Sequence, residues 1–109
     1  MKKLAITNNK GFHMTFENGL TASVQWGRGN YCENHFNTEL DFIGTKPASS
    51  NNAEVAVFDK NGDFLNVNQF LPECVFTDGE VCGHLSPDGI VDFLAKVKDA
   101  RFNQFVTDL

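Results

Sequence analysis

Gly11-Phe12-His13-Met14-Thr15-Phe16-Glu17-Asn18-Gly19-Leu20-Thr21-Ala22-Ser23-Val24-Gln25-Trp26 alternates apolar and polar residues on both sides of an Asn-Gly pair. A period of two marks strands, so the stretch reads as a β-hairpin over 11–26. A two-residue Asn-Gly turn would pair Glu17 with Leu20 and split the two apolar sets between opposite faces. A three-residue loop, Glu17-Asn18-Gly19, pairs Phe16 with Leu20 and gathers all seven apolar side chains on one face. A one-residue slip would expose half of that set, so the three-residue loop with a left-handed Gly19 is expected.

A second hairpin is expected over 54–67. Glu54-Val55-Ala56-Val57-Phe58 is a strand, Asp59-Lys60-Asn61-Gly62 is turn chemistry, and Asp63-Phe64-Leu65-Asn66-Val67 can return. A helix is expected over 87–100. Ser86 is a good N-cap, Pro87 suits the first helical position and Asp88 complements the positive end of the dipole. Ile90, Phe93, Leu94 and Val97 follow the three-four spacing of one buried stripe. Phe102, Phe105, Val106 and Leu109 then form a rotated stripe, either an extension of the helix to 109 or a tail that packs separately or meets a second copy. Residues 27–52 form a long loop, of a length that in compact domains is functional or disordered. The whole reads as one α+β domain, a twisted antiparallel β-sheet built from hairpins with one C-terminal amphipathic α-helix packed on it.

A length of 109 residues suits one domain. No apolar run approaches membrane-spanning length, and the basic start Met1-Lys2-Lys3 leads into no apolar core of a signal peptide. Three cysteines, Cys32, Cys74 and Cys82, are an odd and sparse set, which fits reduced thiols in a cytosol better than a disulfide framework. The net charge of −5 is uneven. Residues 1–30 carry four cations against Glu17, and residues 54–92 carry eight acids against Lys60. An acidic segment disfavours nucleic acid and suits a basic partner surface; the plainer reading is a solvated face that keeps the protein soluble.

Gly27-Arg28-Gly29-Asn30-Tyr31 leaves the strand that ends at Trp26. Two glycines would let backbone amides face an anion, Arg28 would add a charged fork, and Trp26 or Tyr31 would stack on a base. A tight bend that needs glycine dihedrals is the plainer account. Asp59, Asn61 and Asp63 imitate the start of a calcium loop, but Phe64 and Phe70 stand where its glycine and bidentate glutamate belong. Cys32 with His35 and Cys82 with His84 could hold zinc or form Cys–His nucleophile pairs, though no Cys-x-x-Cys spacing or orienting third residue supports either. His13 and His84 read as surface or capping histidines. No cofactor and no metal is expected.

Gly11 to Gly19, Ser23-Val24-Gln25-Trp26-Gly27, Gly29-Asn30-Tyr31-Cys32, Ala53-Glu54-Val55-Ala56-Val57 and Gly83-His84-Leu85-Ser86-Pro87-Asp88 together resemble a family of small proteins from bacteriophage and bacterial genomes that has no assigned activity. The resemblance spans about half of the chain in the same order. It implies a compact, phage-borne accessory protein acting in the bacterial cytoplasm, and it carries over no functional residue. The leading expectation is a non-enzymatic binding protein, a phage-encoded modulator that sequesters a small anionic, nucleotide-like ligand or inhibits a host defence factor. Its site would be Trp26, Gly27, Arg28, Gly29, Asn30, Tyr31 and His35. The alternative is a homodimeric interaction module that binds a basic partner through its acidic surface. An enzyme built on a Cys–His pair ranks third.

Overall fold

A computed structural model describes residues 2–101. Five strands, β1 (Lys3–Ile6), β2 (Gly11–Thr15), β3 (Thr21–Gln25), β4 (Ala53–Phe58) and β5 (Val81–Leu85), form one antiparallel sheet in the order β1-β2-β3-β4-β5, and a single helix α1 (Pro87–Asp99) follows. The protein is an α+β fold.

The β2–β3 ladder pairs Thr15 with Thr21 and Met14 with Ala22. One step further, the Phe16 N–H donates to the Leu20 carbonyl at 2.9 Å. Gly19 closes the three-residue loop at φ +89°, where a Cβ would be strained. This register sends Phe12, Phe16, Leu20, Ala22, Val24 and Trp26 to or against the core, where they meet Val55 and Val57 of β4 and Phe93 and Val97 of α1. Phe93 and Val97 are fully buried, and each such side chain contributes about 1.5–3 kcal/mol by leaving water.

The helix begins as its sequence dictates. The Ser86 hydroxyl accepts from the Gly89 N–H at 3.1 Å, Pro87 occupies the first turn and Asp88 lies beside the N-terminal dipole. Its C-terminal end is closed from a distance. The Asn18 side-chain amide, on the β2–β3 loop, donates to the carbonyls of Val97 (2.8 Å) and Ala100 (2.9 Å), while its oxygen accepts from the Leu20 N–H (3.0 Å). One turn residue thus holds both the hairpin and the helix end. The expected extension to 109, with Phe102, Phe105, Val106 and Leu109, lies outside the described residues.

Three features depart from the sequence reading. First, Leu4-Ala5-Ile6, for which no element was expected, is a strand, and the Thr7–Lys10 turn returns it to β2 with Asn8 at φ +54°. Second, the hairpin over 54–67 is present but shorter than expected. Asp59 Oδ1 accepts from the Asn61 and Asp63 amides in the turn, Phe58 bridges Phe64, and the Leu65 N–H donates to the Val57 carbonyl (2.9 Å) before the chain leaves the sheet. Leu65 and Val67 then drop into the core, and Asn66 caps a short 3-10 turn (Val67–Gln69). Opposite β3, the longer partner of β4 is β5, which a strand reading of Val81–Leu85 would have supplied. Third, Cys74 and Cys82 form a disulfide with a Cα–Cα distance of 6.2 Å, and Cys32 is the odd thiol, buried. The cysteines therefore no longer argue for a reducing compartment. Among the described residues no helix is long and apolar enough to cross a membrane.

Candidate binding site

The loop after β3 is shaped from within. The Asn30 side-chain oxygen accepts from the Gly27 N–H (3.0 Å), and its amide donates to Glu54 Oε1 (3.2 Å). The Tyr31 N–H donates to Glu54 Oε2 (3.0 Å). The Gly29 N–H reaches the His35 carbonyl (3.1 Å), with Gly29 at φ +89°. The amides read as an anion cradle are thus taken by a carboxylate of β4 and by the loop's own carbonyls.

The other expected parts of that cradle are structural as well. Arg28 donates to the Leu40 carbonyl (3.2 Å), and its guanidinium carbon lies 4.2 Å from the centre of the Phe42 ring, so it anchors the far part of the loop. Trp26 is no stacking platform. Its indole N–H donates to the Ala48 carbonyl (2.8 Å), and its ring meets Phe12 edge-on at 6.2 Å. Buried Asn34 donates to the carbonyls of Trp26 (2.8 Å) and Ser49 (2.9 Å), tying the two arms of the loop together. Cys32 is also internal. Its Sγ lies 3.7 Å from the Gly27 carbonyl, and burial pushes the thiol up, away from the thiolate a nucleophile needs. With Cys82 in a disulfide, the four-ligand zinc set and the Cys82–His84 pair do not survive, and the described residues contain no cluster of three or more metal-ligating side chains.

Tyr31 and His35 do face outward together. Their rings stack at 5.2 Å and 10°, and His35 Nδ1 lies 2.9 Å from the Asn30 carbonyl, which orients the imidazole. Phe36 meets His35 edge-on at 4.4 Å and is 84% exposed. Opposite stands the Cys74–Cys82 hairpin. The Gly83 N–H donates to the Phe76 carbonyl (2.7 Å), and Thr77 bridges Cys82, so the hairpin covers the outer edge of β5. Asp78 Oδ1 accepts from the Glu80 (3.0 Å) and Val81 (3.1 Å) amides. Those two amides hold the Asp78 carboxyl below its usual range, so it is ionised at neutral pH.

His84 joins the two walls. Its N–H donates to the Tyr31 carbonyl (2.9 Å), its ring lies 4.8 Å from that of Phe76, and its φ is +56°, a value that non-glycine residues seldom adopt outside constrained sites. A Cβ on the preceding Gly83 would stand 2.8 Å from that of Tyr31, so only glycine lets the loop come this close. Between the walls runs a groove of about 290 Å³ lined by Tyr31, Phe76, Thr77, Asp78, Val81 and His84. Tyr31 is 50% and Phe76 59% exposed. Exposed aromatics gathered at a held groove make it the candidate site.

Of the expected site residues, the groove takes Tyr31 directly and His35 as its backing; Trp26, Gly27, Arg28, Gly29 and Asn30 build the loop beneath. Phe76, Thr77, Asp78 and Val81 were missed. Thr77-Asp78-Gly79 between two cysteines is the turn signal that would have found them. A larger hollow of about 590 Å³ lies on the open sheet face, near His13, Thr15, Thr21 and Phe58, but there the Thr15 and Thr21 hydroxyls satisfy each other at 2.8 Å. No protein-family model, curated protein or solved structure matches the chain, so the groove's own chemistry carries the functional reading.

Proposed function

We propose that the protein is a non-enzymatic binding protein whose groove captures an arginine- or lysine-bearing segment of a partner protein. The observation that carries this reading is the lining itself: two exposed aromatic rings, an ionised carboxylate at Asp78, and no lysine or arginine. A cation over an aromatic face gains about 0.5–2 kcal/mol, and a carboxylate beside it adds direction and salt sensitivity. The acidic 54–92 segment supplies the surrounding field that draws a basic partner in. The same charge works against a nucleotide phosphate, for which the loop offers neither Arg28 nor the Gly29 and Tyr31 amides. For an accessory protein of phage origin, as the sequence resemblance implies, the partner is a basic patch on a host protein.

A fluorescein-labelled arginine-rich hexapeptide and its citrulline counterpart, titrated with the protein, test the reading. The arginine peptide is expected to bind, to weaken at least tenfold in Tyr31→Ala and in Phe76→Ala, and to weaken with salt. Equal binding of the citrulline peptide, or unchanged affinity in both variants, refutes it.

A further inference from the structure

The register of the first ladder decides which way each backbone group of β1 points. Lys3 pairs with Thr15, Leu4 with Met14, Ala5 with His13 and Ile6 with Phe12. The same register continues to Thr7, whose N–H donates to the Gly11 carbonyl at 2.9 Å. Hydrogen-bonded and non-hydrogen-bonded pairs alternate along an antiparallel ladder. Lys3, Ala5 and Thr7 therefore bond to β2, while the N–H and C=O groups of Leu4 and Ile6 face away from it. Both side chains are exposed as well, Leu4 at 70% and Ile6 at 83%. The opposite edge, β5, is covered by the disulfide hairpin, and α1 stands over β3 and β4. Among the described residues β1 is thus an open, apolar sheet edge, the feature through which sheets add strands.

We infer that β1 pairs with β1 of a second copy of this chain, antiparallel about a two-fold axis at Ala5. The register is set by the backbone. The outward-facing residues are Leu4 and Ile6, and symmetry about Ala5 places Leu4 of one copy opposite Ile6 of the other. Both such pairs meet as hydrogen-bonded pairs, which gives four backbone bonds, and the four apolar side chains come together on one face. Charge does not oppose this arrangement. Lys3 falls opposite Thr7 of the second copy, and the two Lys3 residues lie about 14 Å apart along the strands, beyond the Debye length of ~8 Å. Four residues per edge bury less than the ~1,200 Å² of a standard stable interface, so the dimer is reversible and concentration-dependent. The joined sheet has ten strands with the two grooves at its far edges. The inference is independent of what the groove binds.

The two-fold makes a sharp prediction. Ala5 faces Ala5 of the second copy as a non-hydrogen-bonded pair, with Cα atoms about 4.5 Å apart, within disulfide range. The native cysteines do not interfere, since Cys32 is buried and the other two are bonded. Ala5→Cys should form a covalent dimer under mild oxidation, and Lys3→Cys should not. Adding Leu4→Lys and Ile6→Lys to Ala5→Cys should cut cross-linking at least tenfold with an unchanged urea midpoint. Equal cross-linking of Lys3→Cys and Ala5→Cys, or cross-linking undiminished by the two lysines, overturns the inference.

Discussion

Replacing Asn18 with alanine should cost about 2 kcal/mol, although the residue sits on a surface turn and no catalytic or binding role is assigned to it. Its amide serves helix-end carbonyls, most closely those of Val97 and Ala100, and its oxygen serves the amide of buried Leu20. A net hydrogen bond is worth roughly 0.5–1.5 kcal/mol, and lost helix caps cost about 0.5–2 kcal/mol. The three do not simply add, because water reaches the partly exposed carbonyls once the side chain is gone. For a domain of this size the loss corresponds to a fall in Tm of roughly 10 °C. Asn18→Asp is the informative companion. It keeps the acceptor for Leu20, removes both donors, and sets a negative charge at the negative end of the helix, for about 0.5 kcal/mol more. Urea unfolding followed by circular dichroism measures both, with the slope m expected to stay constant. A loss below about 0.5 kcal/mol for Asn18→Ala, or an Asn18→Asp variant as stable as the parent, would refute the claim that one turn residue joins hairpin to helix.

Reducing the Cys74–Cys82 bridge, whose ends are eight positions apart, should lower stability by about 2.5 kcal/mol on the loop-entropy estimate. Urea midpoints with and without dithiothreitol read this, and an unchanged midpoint contradicts it. The reduced protein should also bind the arginine peptide more weakly, because Phe76 and Val81 stand on the released hairpin. His13 gives a pH signature. Burial lowers its folded pKa below the unfolded value of about 6.5, so the unfolded chain takes up the proton first. Its contribution to stability is complete above pH ~6.5 and is lost as pH falls through the folded pKa. His13→Gln should flatten that part of the curve of urea midpoint against pH, and an unaltered slope counts against it.

The parts of the fold that were legible rest on local patterns with one consistent solution. The β2–β3 register follows from requiring seven apolar residues on one face, and the helix from Ser86-Pro87-Asp88 followed by its stripe. The missing parts depend on distant partners. Val81–Leu85 contains a glycine and a positive-φ histidine, so its strand character comes from β4 rather than from its own alternation. An odd number of cysteines does not report their redox state, because three can equally be one bridge and one buried thiol. In the site, the loop 27–31 was recognisable as a special backbone, but Glu54, which lies on the far side of the long loop in sequence, could not be seen to occupy its amides. Asp78 and Phe76 belong to a hairpin that the disulfide and the edge of β5 define together.

The spatial order of the strands is their order along the chain, and this has a kinetic consequence. Each ladder joins consecutive strands, yet the connections differ greatly in length. The β2–β3 pair closes across three residues, whereas β4 must find β3 across the segment from Trp26 to Asn52. On the logarithmic loop-closure scale this difference costs roughly 2 kcal/mol of chain entropy. The first hairpin is therefore the natural early structure in folding, and it carries Asn18, the clamp for a helix about eighty residues later. The first hairpin thus already holds the docking point for the last described element, so the long loop can be spooled out between two fixed ends.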